Sequence, residues 1–341
     1  MNTYSFAAHK ALIQSWSGHR AVNALLILLS FWLSRIQKRP IIWGLPFSLS
    51  VEPTTSCNLR CPECPSGLRS FTRPTGMLDA KVFQPFLDSI AHHVVYLNFY
   101  FQGEPFLHPK FLDLVNLAVQ RNIFTSTSTN AHYLTPKMAE RVVESGLHRI
   151  IISLDGASQE VYQNYRIGGQ IEKVLEGIHN IHQARVMAGK KTPEIVVQNL
   201  LVKPNIHEKD LVEAKAKELG ADRVVFKTAQ VYDLVADHPL VPDESKYSRY
   251  RATSAGTLEI KNPLLNQCWR MWSGCVMTWD GRIVPCCFDK DATHQMGNIQ
   301  EKKLAHIWKD QPYTNFRKAI LQSRSKIDIC TNCTEGTKVW A

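Results

Sequence analysis

The sequence predicts an α/β fold: a partial, TIM-like (β/α)6 barrel followed by a small cysteine-rich domain. Three observations predict it. Six short, nearly continuous apolar or β-branched runs alternate with stretches of helical spacing between residues 47 and 230. Polar motifs follow the C-terminal ends of these runs. Six of the nine cysteines lie after residue 267, where the alternation has stopped.

The elements follow in order. The runs are FSLSVEP, VVYLNFYF, FTSTST, HRIIISLD, EIVVQNLLV and DRVVFKTAQV. Their composition suits parallel strands covered by helices on the outside. Between them, helical spacing is found over 79–91, 109–121, 135–145, 158–188 and 207–219. Pro109 and Pro136 open two of these stretches, where the missing N–H does no harm. In such barrels the chemistry sits where strands end. That rule gathers CNLRCPEC (Cys57 to Cys64), QGEP (Gln102 to Pro105), STN (Ser128 to Asn130), SLDG (Ser153 to Gly156) and Asn199 on one face.

The chain divides into an N-terminal helical segment (1–45), the barrel (46–230), a connection (231–267) and the cysteine-rich domain (268–341). The connection is polar and proline-containing. In the last part Asp280-Gly281, between β-rich flanks, signals a tight hairpin turn. A domain so small and so rich in thiols is expected to be held together by metal.

Composition narrows the class. With 44% apolar and 21% charged residues the chain reads as an ordinary globular protein. The net charge is +10, and the first 51 residues contain five Lys or Arg and no Asp or Glu. The basic residues are not interleaved with an aromatic platform, which argues against nucleic acid. An odd number of cysteines, none in a secreted framework, fits a reducing cytoplasm and metal-bound thiolates. The apolar stretch Ala21 to Leu33 has 13 residues, short of the about 20 that span a bilayer. As a helix it places Asn23, Ser30, Ser34 and Gln37 on one narrow stripe, with basic residues flanking it. It reads either as a helix packed on the barrel or as an interfacial helix making peripheral membrane contact through residues 20–39.

CNLRCPEC sets three thiols at the spacing C-x3-C-x2-C. Three thiolates can bind zinc or part of an iron–sulfur cluster. A closed zinc site needs a fourth ligand, and the next candidate, His92, lies 28 residues on in a predicted helix. A four-iron cluster held by three thiolates keeps one iron open.

Cysteines at this spacing after the first strand of a βα barrel resemble the radical S-adenosylmethionine (radical SAM) superfamily. The resemblance implies that Cys57, Cys61 and Cys64 hold a 4Fe-4S cluster whose open iron chelates S-adenosyl-L-methionine. QGEP stands where the family has GGEP, with Gln102 in place of the first glycine. Gly103 and Glu104 would then approach the methionine amino group. SLDGASQEVYQNYRIGG resembles a segment in which Ser153 contacts the cosubstrate and Arg166 pairs with its carboxylate. Glu63 stands where many members carry an aromatic residue, so no adenine-stacking role is transferred.

The spacing of Cys268, Gly281 and Cys286, with Cys330-x2-Cys333, resembles the SPASM or twitch type of auxiliary iron–sulfur domain. The resemblance implies one auxiliary cluster on Cys268, Cys286, Cys330 and Cys333, since the sequence shows no cysteine after Cys333. Cys287 is the alternative to Cys286; Cys275 is expected as a buried apolar thiol. By resemblance, an external one-electron reductant feeds the first cluster and a 5′-deoxyadenosyl radical takes a hydrogen atom from substrate. A four-thiolate cluster can accept an electron without binding substrate, which favours oxidation. The substrate stays open among a small molecule, a peptide and a lipid. The alternative outside enzymology is an iron–sulfur electron carrier, which needs no Glu104, Ser153 or Arg166. No catalytic base is assigned; Tyr100, Lys227, Asp289 and Asp291 are candidates by position.

Overall fold

The computed structural model describes residues 5–339. All six predicted strands form: β1 (Ser48–Val51), β2 (Tyr96–Asn98), β3 (Phe124–Thr129), β4 (Arg149–Ser153), β5 (Glu194–Leu201) and β6 (Arg223–Thr228). Each pairs in parallel with the next, so sheet order follows chain order. Isoleucines and valines of the strands, among them Ile150, Ile152, Ile195 and Val197, are fully buried against the covering helices.

The helices are α1 (Phe6–Gln14), α2 (Gly18–Gln37), α3 (Ala80–Ile90), α4 (Phe111–Val119), α5 (Pro136–Glu144), α6 (Ile171–Met187), α7 (Lys209–Glu218) and α8 (Gln311–Ser323). Asp79 and Thr135 cap α3 and α5 by accepting from the amides of Lys81 and Met138. Pro136 opens α5 as expected, whereas α4 begins two residues after Pro109, at Phe111. The stretch 158–188 is not one helix. It breaks into a short turn, Gln159–Gln163, and α6, because Gly168 takes a positive φ and Arg166 is drawn toward Asp155.

The connection 231–267 contains a hairpin, β7 (Tyr250–Ala252) with β8 (Leu258–Ile260). It packs beside the cysteine loop: Val231, Leu240, Val241, Tyr250 and Leu258 share an apolar cluster with Leu59, Cys61 and Tyr165. After Cys268 the chain returns to the barrel sheet. β9 (Gly274–Met277) pairs in parallel with β1 over its whole length; β10 (Arg282–Val284) and β11 (Gly297–Asn298) follow antiparallel. The Asp280-Gly281 turn forms where predicted, with Gly281 at φ 82°. The change of composition at Cys268 therefore marks no break in the sheet. Among the described residues it has nine strands, with β6 at one edge and β11 at the other.

A buried ion pair ties the cysteine loop to this extension. Arg73 donates to both oxygens of Glu52, at 2.6 and 2.8 Å, and the Trp279 amide donates to the same carboxylate. Both partners are buried. Arg73→Ala is expected to lower stability by about 3–5 kcal/mol, because Glu52 is left charged and alone. The double variant Glu52→Gln, Arg73→Met should recover most of that loss in denaturant titrations. Equal destabilisation of both variants would show that the pair is not what holds the loop.

Candidate functional site

The strand ends converge on a cavity of about 420 Å³. Cys57, Cys61 and Cys64 line one side. Gln102, Gly103 and Glu104 after β2, Ser128 to Asn130 after β3, Ser153 ending β4 and Arg166 complete the wall. The residues expected to hold the first cluster and S-adenosylmethionine are thus brought together. Asn199 is not among them. Its side chain donates to the Leu154 carbonyl at 2.8 Å, and strand alternation gives the cavity Gln198 instead.

Gly103 shows why that position excludes a side chain. Its φ is +75°, and a Cβ would stand 2.2 Å from the Thr54 carbonyl oxygen. The next amide, of Glu104, donates to the Ser56 carbonyl at 2.7 Å. The β2 loop is thereby laced to the start of the cysteine loop. Glu104 is buried and accepts from Thr129 Oγ1 at 2.7 Å and the Asn130 amide at 2.8 Å. Burial raises its pKa while these hydrogen bonds oppose the rise. The carboxylate thus fixes the ends of β2 and β3 together at the cavity wall.

Arg166 has two edges with two tasks. Its Nε donates to Asp155 at 2.5 Å, and Nη1 lies 3.7 Å from Cys61 Sγ. Asp155 is fully buried and also accepts from the Leu200 amide at 2.6 Å. The guanidinium is held rigidly by its inner edge and presents the other to the thiols and the cavity.

The thiols suit a bound cation. Burial pushes the Cys57 thiol up to about 12, and burial raises that of Cys61 against the pull of Arg166. Such groups ionise at neutral pH only when a positive centre takes up the charge. Among the described residues no three His, Cys, Asp or Glu side chains close on a single point. In a four-iron cluster each thiolate binds a different iron, so the three need not converge. His92, the next candidate in sequence for a fourth zinc ligand, lies instead beside His19 of α2.

The second set is also assembled. Cys268, Cys330 and Cys333 are buried, and Arg324 donates to Cys333 Sγ at 3.2 Å. Burial raises Cys330 to about 11 and Cys333 to about 12, and Arg324 opposes both shifts. Cys286 is pushed up by burial and then by Cys287, Cys268 and Cys333, which places it within reach of the set. Cys287 instead stands 3.9 Å from Arg270 and acts on Tyr100 and Lys290. Cys275 is buried in β9 beside Tyr313 and Arg317, as an inert core thiol. Gly336 must be glycine here: φ is +77° and a Cβ would stand 2.4 Å from Cys268 Sγ.

Against this geometry the comparisons are direct. A model described as the radical SAM superfamily matches residues 51–216, and one described as an iron–sulfur cluster-binding domain, SPASM, matches 268–334. This chain belongs to the radical SAM superfamily. A Pyrococcus furiosus protein named as a tungsten-containing aldehyde ferredoxin oxidoreductase cofactor-modifying protein is 27% identical, over 84% of this chain and 86% of that protein. The S-adenosyl-L-methionine-dependent 2-deoxy-scyllo-inosamine dehydrogenase of Niallia circulans is 22% identical, over 84% and 91%. The solved structure of BtrN with AdoMet and 2-DOIA superimposes with a TM-score of 0.53 at 21% identity, covering 86% of this chain and 94% of that one. The radical SAM enzyme described here thus uses 4Fe-4S clusters and S-adenosylmethionine.

Of the suggested bases, two are engaged elsewhere. Asp289 caps the turn at Thr293 and His294. Asp291 accepts from the Thr72 and Arg73 amides and fixes the cysteine loop. Tyr100 and Lys227 line the cavity. Sequence reasoning missed Tyr165, Gln198 and Lys290, which line it too. Lys290 lies 4.8 Å from the Tyr232 ring centroid, and burial lowers its pKa. Only the strand period could have signalled Gln198; nothing local signals Lys290. Glu63 accepts from the Tyr232 amide and stands 3.4 Å from His238, so it pins the connection to the cysteine loop.

Gly103→Ala is expected to abolish binding of S-adenosylmethionine in equilibrium dialysis, because the loop must move. Gly168→Ala has positive φ but nothing within 4 Å of the new Cβ. It should cost only about 1–2 kcal/mol of backbone strain and leave binding intact. Equal binding in the two variants would sink the close-approach argument.

Proposed function

We propose that this radical SAM enzyme removes two hydrogens from its substrate, with one auxiliary cluster taking the second electron. Cys57, Cys61 and Cys64 would hold the first cluster, Gly103, Glu104, Ser153 and Arg166 the S-adenosylmethionine, and Cys268, Cys286, Cys330 and Cys333 the auxiliary cluster. When bound, these groups supply a 5′-deoxyadenosyl radical that takes one hydrogen atom from a substrate C–H bond. The chain's part is to hold that bond in place, exclude water and accept a proton. Tyr100, Lys227 and Lys290 are titratable groups on the cavity wall that could do so.

The supporting observation is the contrast between the two thiol sets. Three thiols face an open cavity; in the other set Cys268, Cys330 and Cys333 are buried beside Arg324 and Cys286 is half-buried. A set of four leaves no iron free for substrate, so its use is electron transfer. Likeness to the Niallia circulans dehydrogenase supports a small alcohol as substrate; likeness to the Pyrococcus protein supports cofactor modification as the second reading. An external one-electron donor supplies the reductant. No helix among the described residues is long and apolar enough to cross a membrane. We propose peripheral contact through residues 20–39.

Anaerobic reconstitution with dithionite and S-adenosylmethionine, run with pools of polyols, peptides and lipids, tests the reaction. Formation of 5′-deoxyadenosine with a product lighter by two hydrogens is expected. A product of unchanged mass would overturn the oxidation. Cys286→Ser should lose about four irons per chain and the oxidised product, whereas Cys287→Ser keeps both. Arg166→Lys keeps the charge but loses the fork, and should weaken S-adenosylmethionine binding about tenfold or more, read by dialysis.

A further inference from the structure

The helix α2 sits on the barrel the wrong way round. Its polar stripe faces inward: Asn23, Ser30 and Ser34 are buried. Its apolar row faces out, with Val22 58%, Leu25 54%, Leu29 44%, Trp32 45% and Ile36 75% exposed. Asn23 and Ser34 are satisfied by the chain that leads into β1, and Ser30 donates to the Ile27 carbonyl. Asn23 donates to the Leu45 carbonyl at 2.8 Å and accepts from its amide at 2.9 Å. Ser34 accepts from the Ile41 amide at 2.8 Å. Half of the large apolar side chains exposed among the described residues, nine of 18, lie between Phe6 and Trp43.

We infer that this outward face docks on an anionic lipid surface, and that it does so with the reaction cavity turned away from the bilayer. The inference rests on the peripheral contact proposed above. Three arguments favour lipid over a protein partner. The exposed row has the 3-4 spacing of a coiled-coil seam, but its flanks are Leu26, Leu28 and Leu33 rather than paired charges. Such a face is broad and fixes no register. Trp32 on this face, and Trp16 and Trp43 in the segments flanking α2, are exposed, and this residue favours the membrane–water boundary. Arg35, Lys38 and Arg39 lie at its C-terminal end, with no acid before Glu52, so the charge complements anionic headgroups.

The orientation follows from what α2 is tied to. Arg20 donates to the carbonyls of Ala91, Arg121 and Asn122, in the loops that enter β2 and β3. Phe31 packs on Trp269 and Trp272, just before β9, and Trp272 donates to the Ile41 carbonyl. Every anchor is at the N-terminal ends of the strands. Cys57, Cys61, Cys64 and the cavity are at the C-terminal ends. Docking and substrate entry are therefore separated, and substrate arrives from the aqueous side.

The test is co-sedimentation of the reconstituted full chain with vesicles of phosphatidylcholine alone or with phosphatidylglycerol. Binding is expected only to the anionic vesicles and should weaken with added salt. The variant Leu25→Ser, Leu29→Ser, Ile36→Ser should bind about tenfold or more weakly yet form 5′-deoxyadenosine at the unaltered basal rate. Vesicle-bound enzyme should retain that rate with S-adenosylmethionine in solution. If the variant binds as well as the parent chain, contact is made elsewhere and the assignment of this face is overturned. If the parent chain binds neither vesicle, the peripheral reading itself fails. Loss of turnover on vesicles overturns the orientation. A dimer in sedimentation velocity that the variant abolishes would give the face to a second copy of the chain.

Discussion

The rest of the structure hangs on β1 being paired in parallel on both sides. On one side β2 brings the Gln102–Glu104 loop; on the other β9 brings the chain that leads to Cys286. The cysteine loop leaves the C-terminal end of this one strand, so β1 itself places the first thiol set and its neighbour β9 leads to the second. A four-residue strand gives few hydrogen bonds of its own. Buried Glu52, immediately after it, adds the constraint the ladder lacks, by joining Arg73 on the far side of the loop to Trp279 at the β9–β10 turn. Removing either charge would leave the other in a medium that solvates it poorly.

Around the first thiol set the polar groups are engaged in a particular pattern. Glu104 and Asp155 are both buried, and both are satisfied mainly by the protein's own donors. They act first as fasteners between neighbouring strand ends. What they leave facing the cavity is the outer edge of Arg166 and the thiols. Burial opposes ionisation of those thiols, so thiolate formation and cation uptake are coupled. The connection 231–267 contributes to that burial by laying Val231, Leu240 and Tyr250 against Cys61 and Leu59. A segment that reads as a linker is thus part of the wall that keeps water off the cluster loop.

The barrel and the first site were legible because two periodicities coincide. Buried β-branched runs located the strands, and motif position relative to strand ends gathered Cys57, Glu104 and Ser153 before any contact was known, while Arg166 followed from the family resemblance. Asn199 failed because a strand's alternation is fixed by pairing, and one residue's shift exchanges it for Gln198. Lys290 was not legible because it reaches the cavity through the return of β9 to β1, a pairing between segments more than 220 residues apart. The break in 158–188 was hidden for another reason. Helical spacing continues through the segment, and only the pull of Asp155 on Arg166, with Gly168 beside it, interrupts the turn.

The orientation of α2 exposes a limit of amphipathicity itself. A hydrophobic pattern locates the two faces of a helix but does not say which one meets the protein. The usual answer assumes that the surface offered to the helix is apolar. Here much of the surface offered is an irregular strap, residues 41–45, whose amides and carbonyls have no strand or helix to pair with. Backbone groups buried without partners are costly, so a polar stripe is the better match to a strap. Asn23 and Ser34 satisfy it, while Ile27 and Phe31 on the same side fill the spaces between. Once the polar stripe is committed inward, helical geometry forces Val22, Leu25, Leu29, Trp32 and Ile36 outward. That apolar row, with cations at its C-terminal end, is the residue pattern a lipid interface would have to meet.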